Sequence, residues 1–382
     1  MRANGILVGH PYWGRSGAEV AAMWLLQALC QEYRVDVLTR GGWDLDDLNR
    51  CAGTSIQRGD LGSILYPPFT SKVNRAGGAL WHALFLRYCR RLAPRYDICV
   101  TASRVVDWGR PAIHFLSDAA WNTELQRRFQ TPEALLGAGL TRSAYFRVAK
   151  MIAGKSGRDA AREDTFVANS GWTASMSAEF CERPPVVIYP AVPANGVTAV
   201  WEERADEFLC LGRISPEKRI ERVIAIMDQL RAMGHKVRLH LAGGGEGGFY
   251  ERQIQRLCDE RREWMTSHGA VYGEAKKALL GLCRFGLSAR DDEAFGIATA
   301  EMAAAGILPF VPRTGGQCEI VREPDLIYED IQDAALKIDA VLRSETRQHE
   351  LHEAMLLRGQ EFNPERFCTE VRALVSRVLD GR

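Results

Sequence analysis

The sequence predicts an α/β fold of two doubly wound, Rossmann-like domains that face each other across a cleft. Three observations lead there. Short apolar runs alternate with longer amphipathic segments nearly throughout, the pattern of parallel strands joined by crossover helices. At 382 residues the chain exceeds what one ordinary core holds, so two domains of roughly 150 to 200 residues are expected. Midway, Tyr189-Pro-Ala-Val-Pro-Ala-Asn-Gly196 interrupts the alternation with two prolines and a glycine, the composition of a linker. The expected domains therefore span 1–195 and 203–363, followed by a last helix within 364–382.

In the first domain the apolar runs place strands at Gly5 to Gly9, Val35 to Leu38, Ile98 to Ala102, Ala112 to Leu116, Thr165 to Ala168 and Val186 to Tyr189. Helical periodicity falls at Ala18 to Glu32, Gly78 to Leu92, Thr141 to Ala160 and Thr173 to Phe180. Asn169-Ser170-Gly171 reads as a strand end passing into an N-capped helix. The second domain repeats the scheme with strands at Phe208 to Leu211, Val237 to Ala242, Ala270 to Tyr272, Phe285 to Ser288, Leu308 to Val311 and Leu326 to Tyr328. Its helices fall at Arg219 to Met233, Tyr250 to Trp264, Glu274 to Arg284, Gly296 to Ala305, Gln317 to Val321 and Ile331 to Leu342. Two more follow, at Ser344 to Phe362 and Pro364 to Leu379.

Composition excludes several classes. The formal net charge of +1 gives no overall bias toward nucleic acid. Ten cysteines contain no CxxC pair and no Cys/His spacing of a zinc site, so reduced, buried thiols are expected. Met1-Arg-Ala-Asn-Gly-Ile-Leu-Val enters a strand at once and lacks the apolar core of a signal peptide. No apolar run is long enough for a membrane span, and a cytoplasmic location is expected. The average conceals an asymmetry: residues 1–200 carry 23 Lys+Arg against 17 Asp+Glu, and the remainder 26 against 31. The basic excess lies between Lys72 and Arg158, where Trp81, Phe85, Tyr88 and Trp108 interleave with the charges. Two readings of that stretch stand level, a peripheral contact with an anionic membrane at the inner face and a solvated basic surface.

Ligands of open parallel sheets bind beyond the carboxyl ends of the strands, so chemistry-bearing residues at those ends are the candidates. Glu293-Ala-Phe-Gly-Ile-Ala-Thr-Ala-Glu301 follows one strand and carries Glu293 on the loop and Glu301 two turns into the expected helix. Between them the amides near Phe295, Gly296 and Ile297 point out of a helix N-terminus, where they and the helix dipole favour an anion. Gly212-Arg213-Ile-Ser-Pro-Glu-Lys218 follows another strand and brings a guanidinium fork and a mobile ammonium, a pair suited to a diphosphate. Gly243, in Gly-Gly-Gly-Glu-Gly-Gly, permits close backbone approach to a nucleotide, although the run is neither a dinucleotide fingerprint nor a P-loop.

Gly14 and Gly17 sit in a loop after the first strand and open the first long helix. His114 and Asp118 end a first-domain strand and are candidate hydroxyl-binding groups. Gly315, Gly316 and Glu319 follow the strand at Leu308 and are candidate sugar or acceptor contacts. Asp44-Leu-Asp46 and Asp291-Asp292 are read as an acidic loop and a solvated turn, and no metal site is expected.

Together these residues resemble the retaining glycosyltransferases of family 4, which have the two-domain GT-B architecture. The resemblance is strongest over 207–322. It implies that Gly212, Arg213 and Lys218 bind the donor diphosphate, that Glu293 holds the donor sugar hydroxyls, and that Glu301 holds the ribose. It implies a donor role for Gly14, Gly17, Gly243 and the amides of Phe295, Gly296 and Ile297, and a place near the transferred sugar for His114. The 1–195 domain would then bind acceptor, the 203–363 domain would bind donor, and the last helix would pack back on the first domain. Phe295-Gly-Ile, Glu301-Met-Ala-Ala-Ala-Gly306 and Gly315-Gly316 also look like mannosyltransferases that extend lipid-linked oligosaccharide.

The expected activity is transfer of mannose or glucose from a GDP- or UDP-linked donor to a glycan or lipid-linked acceptor, with retention and with no cofactor beyond that co-substrate. Two other readings of the same residues are a nucleotide-sugar 2-epimerase, which needs no acceptor, and a non-catalytic nucleotide-sugar-binding protein, which would tolerate loss of Glu293.

Overall fold

The computed structural model describes residues 5–68, 78–102, 105–117, 163–193, 196–197, 199–245 and 247–381. The expected helix at Thr141 to Ala160, Asp118 and most of the basic stretch lie outside them. The chain divides into two compact units, Met1–Tyr189 with Glu365–Arg382, and Pro190–Pro364.

The first unit is a parallel sheet of β1 (Gly5–Gly9), β2 (Arg34–Leu38), β3 (Leu61–Leu65), β4 (Ile98–Thr101), β5 (Ile113–Leu116), β6 (Thr165–Ala168) and β7 (Val186–Val187) in the order β3-β2-β1-β4-β5-β6-β7. Ile6, Leu7, Val8, Ile98, Cys99 and Val100 are all fully buried, as strands covered on both faces by helices must be. Helix α1 (Gly17–Cys30) starts from a capping box, the Ser16 amide donating to Glu19 Oε2 at 2.8 Å. Helices α2 (Leu45–Ala52), α3 (Gly78–Leu92) and α4 (Gly171–Ser177) follow in chain order.

The second unit contains β8 (Ala205–Leu211), β9 (Arg238–Ala242), β10 (Met265–Gly269), β11 (Cys283–Leu287), β12 (Leu308–Pro312) and β13 (Ile327–Tyr328) in the parallel order β10-β9-β8-β11-β12-β13. Between and after them run α5 (Ile220–Ala232), α6 (Phe249–Glu260), α7 (Gly273–Leu282), α8 (Ile297–Ala304), α9 (Gln317–Val321), α10 (Ile331–Leu342) and α11 (Glu345–Gln360). The final helix α12 (Pro364–Asp380) buries Phe367, Val371 and Leu374 and holds the first unit through Arg372, which donates to Gln31 at 2.6 Å.

Phe208 and Phe285 are register partners on β8 and β11 and stack at 5.0 Å, with Phe310 at 6.4 Å from each ring. Burying each such ring contributes about 1.5–3 kcal/mol, so this layer anchors the centre of the second sheet. Above it Gly286 lets α8 close on β11, because a Cβ there would stand 2.4 Å from Met302 Sδ.

Two independent α/β sheets are what the sequence predicts, with three corrections. The strand expected at Ala270 to Tyr272 lies at Met265–Gly269. Its residues are mostly half-exposed or exposed, since β10 is an edge strand and carries little apolar signal. β3, an edge strand of the first sheet whose residues are mostly half-exposed or exposed, also escaped the sequence reading. The acidic loop at Asp44 is in fact the start of α2: Asp44 is its N-cap and accepts from the Asp47 amide at 3.1 Å, while Gly53 closes the helix in the left-handed region. All ten cysteines carry reduced thiols.

Candidate active site

In each sheet the strand order reverses direction of travel at one place, and loops leaving the two strands there diverge to form a crevice. In the second unit this switch lies between β8 and β11. The loop after β8 carries Gly212 to Lys218, and the loop after β11 carries Arg290 to Gly296. Topology therefore brings together two segments 75 residues apart, and Lys218 Nζ donates to Glu293 Oε2 at 2.7 Å.

Glu293 is the centre of charge. Its other oxygen, Oε1, lies 3.2 Å from Arg290 Nη1, and the side chain is 13% exposed. Burial pushes the Glu293 carboxyl up, but Lys218, Arg290 and Arg213 together outweigh it and hold the group below its ordinary value. Arg213 stands at the rim with 54% of its side chain exposed, its guanidinium 3.3 Å from Glu217. The backbone of Glu293 is fixed as firmly as its side chain. It bridges to Gly315, and the Gly316 amide donates to the Glu293 carbonyl at 2.7 Å. At Gly315, φ is +92° and a Cβ would lie 2.6 Å from the Glu293 backbone N and O, so only glycine fits. Gly315 and Gly316 thus support the Glu293 backbone.

Helix α8 begins at Ile297 with Gly296 at φ +99° as its N-cap. The first amides of this helix have no intrahelical acceptor and face the loop that holds Glu293. Phe295 contributes no ring to that surface: it is buried and meets Phe362 edge-on at 5.3 Å. Glu301 is the fifth residue of α8, little more than one turn in and not two, and it accepts from Lys276 Nζ at 2.8 Å. Lys276, on α7, was missed from sequence because its acidic partner is set by tertiary packing, and Arg290 was missed although Glu293 stands three residues on in the same loop.

The glycine loops explain one another. A Cβ on Gly243 would lie 1.7 Å from the Gly212 carbonyl oxygen, and the Gly212 amide donates to the Ala242 carbonyl at 3.0 Å. The loops after β8 and β9 are therefore pressed backbone to backbone, which fixes where Arg213 leaves the sheet. Asp291 also departs from its expected role as a solvated turn residue: it pairs with Arg219 Nη1 at 2.5 Å and Arg222 Nη1 at 2.9 Å. Glu319 is half-buried, and its carbonyl accepts from Arg358 at 2.7 Å.

In the first unit the structure moves His114 away from the expected strand end. It is the second residue of β5 and wholly buried, with Nδ1 2.7 Å from Thr101 Oγ1 and Nε2 3.2 Å from Asp164. Such a ring cannot touch a ligand while the sheet is intact. Its companion Asp118 is outside the described residues. Gly14 has room for a side chain, the nearest atom to a Cβ being Glu19 Oε2 at 3.7 Å, and Gly17 is the first residue of α1. Beneath this loop His10 and Trp13 are buried, with ring centroids 4.5 Å apart.

Among the described residues no group of three or more His, Cys, Asp or Glu side chains converges so as to hold a metal ion, and no helix is long and apolar enough to cross a membrane.

Residues 199–357 match the family described as Glycosyl transferases group 1. No curated protein matches the sequence. Among solved structures the chain is similar to Anabaena HepE in complex with UDP-glucose, at 15% identity and TM-score 0.70, covering 98% of this chain and 100% of that one. It is similar to the sucrose-phosphate synthase of Thermosynechococcus elongatus at 17% identity and TM-score 0.75, covering 99% and 100%. It is also similar to the pneumococcal O-GlcNAc transferase GtfA in complex with UDP and GlcNAc, at 9% identity and TM-score 0.66, covering 98% and 99%.

Proposed function

We propose that this chain, a glycosyltransferase of GT-B fold whose residues 199–357 belong to glycosyl transferases group 1, moves a hexose from a nucleotide diphosphate sugar to an acceptor hydroxyl with retention. The observation that carries this reading is the Glu293 carboxylate held between Lys218 at 2.7 Å and Arg290 at 3.2 Å at the mouth of the β8–β11 switch. An ionised carboxylate among cations suits recognition of sugar hydroxyls on one side and of a diphosphate on the other. The donor binds to the second unit: Arg213, Lys218 and the first amides of α8 take the diphosphate, Glu293 the sugar hydroxyls, and Glu301 the ribose. The first unit takes the acceptor. Glucose on UDP is the favoured donor, because HepE and GtfA were solved with UDP or UDP-sugar; mannose on GDP is the alternative to screen beside it.

In the reaction the bond from the anomeric carbon to the diphosphate oxygen breaks, and the acceptor oxygen bonds to that carbon on the same face. The acceptor proton passes to the departing phosphate oxygen. Negative charge grows on the diphosphate as the bond stretches, so cations fixed beforehand stabilise the transition state more than the bound donor. That duty falls to Arg213 and Lys218, with the dipole of α8 adding to it. Removing Arg213 is expected to raise the barrier by about 3 kcal/mol, a rate loss of roughly two orders of magnitude. The measurement is UDP release from UDP-glucose, or GDP release from GDP-mannose, by purified Arg213→Ala. Release at the wild-type rate would remove Arg213 from the mechanism.

A further inference from the structure

We infer that Asp291 is a positioning residue: its clamp on Arg219 and Arg222 sets Lys218 against Glu293 before any donor arrives. The inference rests on the donor site proposed above. Lys218 immediately precedes Arg219, and Glu293 stands two residues beyond Asp291. The Asp291 carboxylate therefore ties the loop after β8 to the loop after β11 right beside the Lys218–Glu293 pair. It does so twice, through Arg219 at 2.5 Å and Arg222 at 2.9 Å. Arg222 lies on α5, which buries Ile220, Val223 and Ile224, so one jaw of the clamp is anchored to the sheet.

The backbone on either side of the clamp adopts conformations that side chains disfavour. Arg219 has φ +48° and Asp292 φ +53°, two of the three non-glycine residues in the left-handed region among those described. Strain of this kind persists only where surrounding bonds over-determine the chain. Here the bonds are visible. Thr314 Oγ1 accepts from the Asp292 amide at 3.1 Å, and the buried Gln317 side chain donates to the Arg290 carbonyl at 2.9 Å. Together they hold 290–293 as a tight turn in which Arg290 and Asp291 serve different partners: Arg290 grips Glu293 and Asp291 grips the opposite loop.

The clamp is poorly placed to stabilise the fold. Asp291 is 30% and Arg219 48% exposed, and a pair so open to water contributes little to stability, while the Arg222 pair, with Arg222 20% exposed, is the better covered of the two. Geometry is what they can set, and displacing a catalytic group by an ångström costs rate far more than it costs folding.

The experiment uses the full chain with UDP and GDP as binding probes and UDP-glucose and GDP-mannose as turnover probes. Asp291→Asn is expected to leave the melting temperature close to wild type while kcat falls about tenfold or more. Asp291→Glu is expected to recover part of the loss. In a double-mutant cycle, Asp291→Asn added to Lys218→Met should cost almost nothing further in kcat, because both act on one arrangement. Additive losses in that cycle, or wild-type kcat in Asp291→Asn, would overturn the clamp's role while leaving the donor site standing. Wild-type protein that binds neither UDP nor GDP overturns the donor site and this inference with it.

Discussion

The two units share a strand order but not the chemistry at its switch. In the first, β1 meets β4; in the second, β8 meets β11. In the loop after β1 the rings of His10 and Trp13 turn inward, while Tyr12 and Arg15 stay exposed. His10 is buried 3.4 Å from Glu19, whose other oxygen caps α1, and Trp13 packs edge-on against Trp43 at 5.1 Å. The loops after β8 and β11 instead collect Arg213, Lys218, Arg290 and Glu293 at or near the surface. A doubly wound sheet supplies a crevice wherever its strand order reverses, and the side chains then decide whether charge is available to a ligand. On that ground the second switch is the one we propose as the donor site, and the first is the one whose His10, Trp13 and Glu19 serve packing and the helix cap.

Glycine substitutions give the largest expected contrast. In Gly243→Ala the new methyl group would lie 1.7 Å from the Gly212 carbonyl, backbone against backbone, with no flexible side chain to yield. A cost of about 3 kcal/mol is expected, with loss of UDP binding as Arg213 shifts. Gly14→Ala meets nothing closer than 3.7 Å, so a change within about 0.5 kcal/mol is expected. Urea unfolding and UDP titration of both variants test this. Equal effects would mean that the two glycine loops do the same work.

The Glu293 carboxylate gives the next effect. Removing its charge in Glu293→Gln leaves Lys218 and Arg290 facing one another without a counter-charge, a loss of about 2 kcal/mol in charge-assisted hydrogen bonding. Because the folded carboxyl is held below its ordinary value of 4.5, its contribution is fully present above that value. It is lost as pH falls through the lowered one. Melting temperatures of wild type and Glu293→Gln should therefore differ at neutral pH and converge in strong acid. A gap that is constant from neutral pH downward would show that the ion pairs do not carry the difference.

Legibility in the sequence followed the continuity of apolar runs. Central strands such as Phe208 to Leu211 and Phe285 to Leu287 are continuous apolar runs, and they lie where those runs predict. Edge strands β3 and β10 are half-wet and were not located, whereas the opposite edges β7 and β13, which keep short apolar runs, were. The site divides in the same way. Glu293, Arg213 and Lys218 could be picked out because strand ends are informative positions in a parallel sheet. Lys276 and the Asp291 clamp could not, because they depend on which elements fold beside each other and no local periodicity records that; Arg290, three residues before Glu293, was within reach of the sequence and passed over. For α2 the signal was present and misread, since Asp44 followed by Asp46 and Asp47, with Gly53 beyond, is the pattern of a capped helix. His114 is the converse case, a polar residue near a strand end that lies wholly buried between Thr101 and Asp164.

Glu19 gives the smallest effect and the sharpest discrimination between the units. Burial pushes its carboxyl up, and bonds from His10 and Ser16 outweigh that and leave it below the ordinary value. In this respect it matches Glu293, yet its bonds run to the helix cap and to a buried ring. Glu19→Gln keeps the size of the side chain and weakens the capping box, so a loss of about 1 kcal/mol is expected. The contribution is present above the ordinary carboxylate range and disappears as pH falls through the lowered value. UDP affinity should not change, because nothing in the Glu19 environment is held ready for a diphosphate. Calorimetric titration of UDP into Glu19→Gln beside Glu293→Gln reads the distinction directly. A fall in affinity for Glu19→Gln as large as that for Glu293→Gln would place the β1 loop in the donor site, and the division of labour between the two switches would fail.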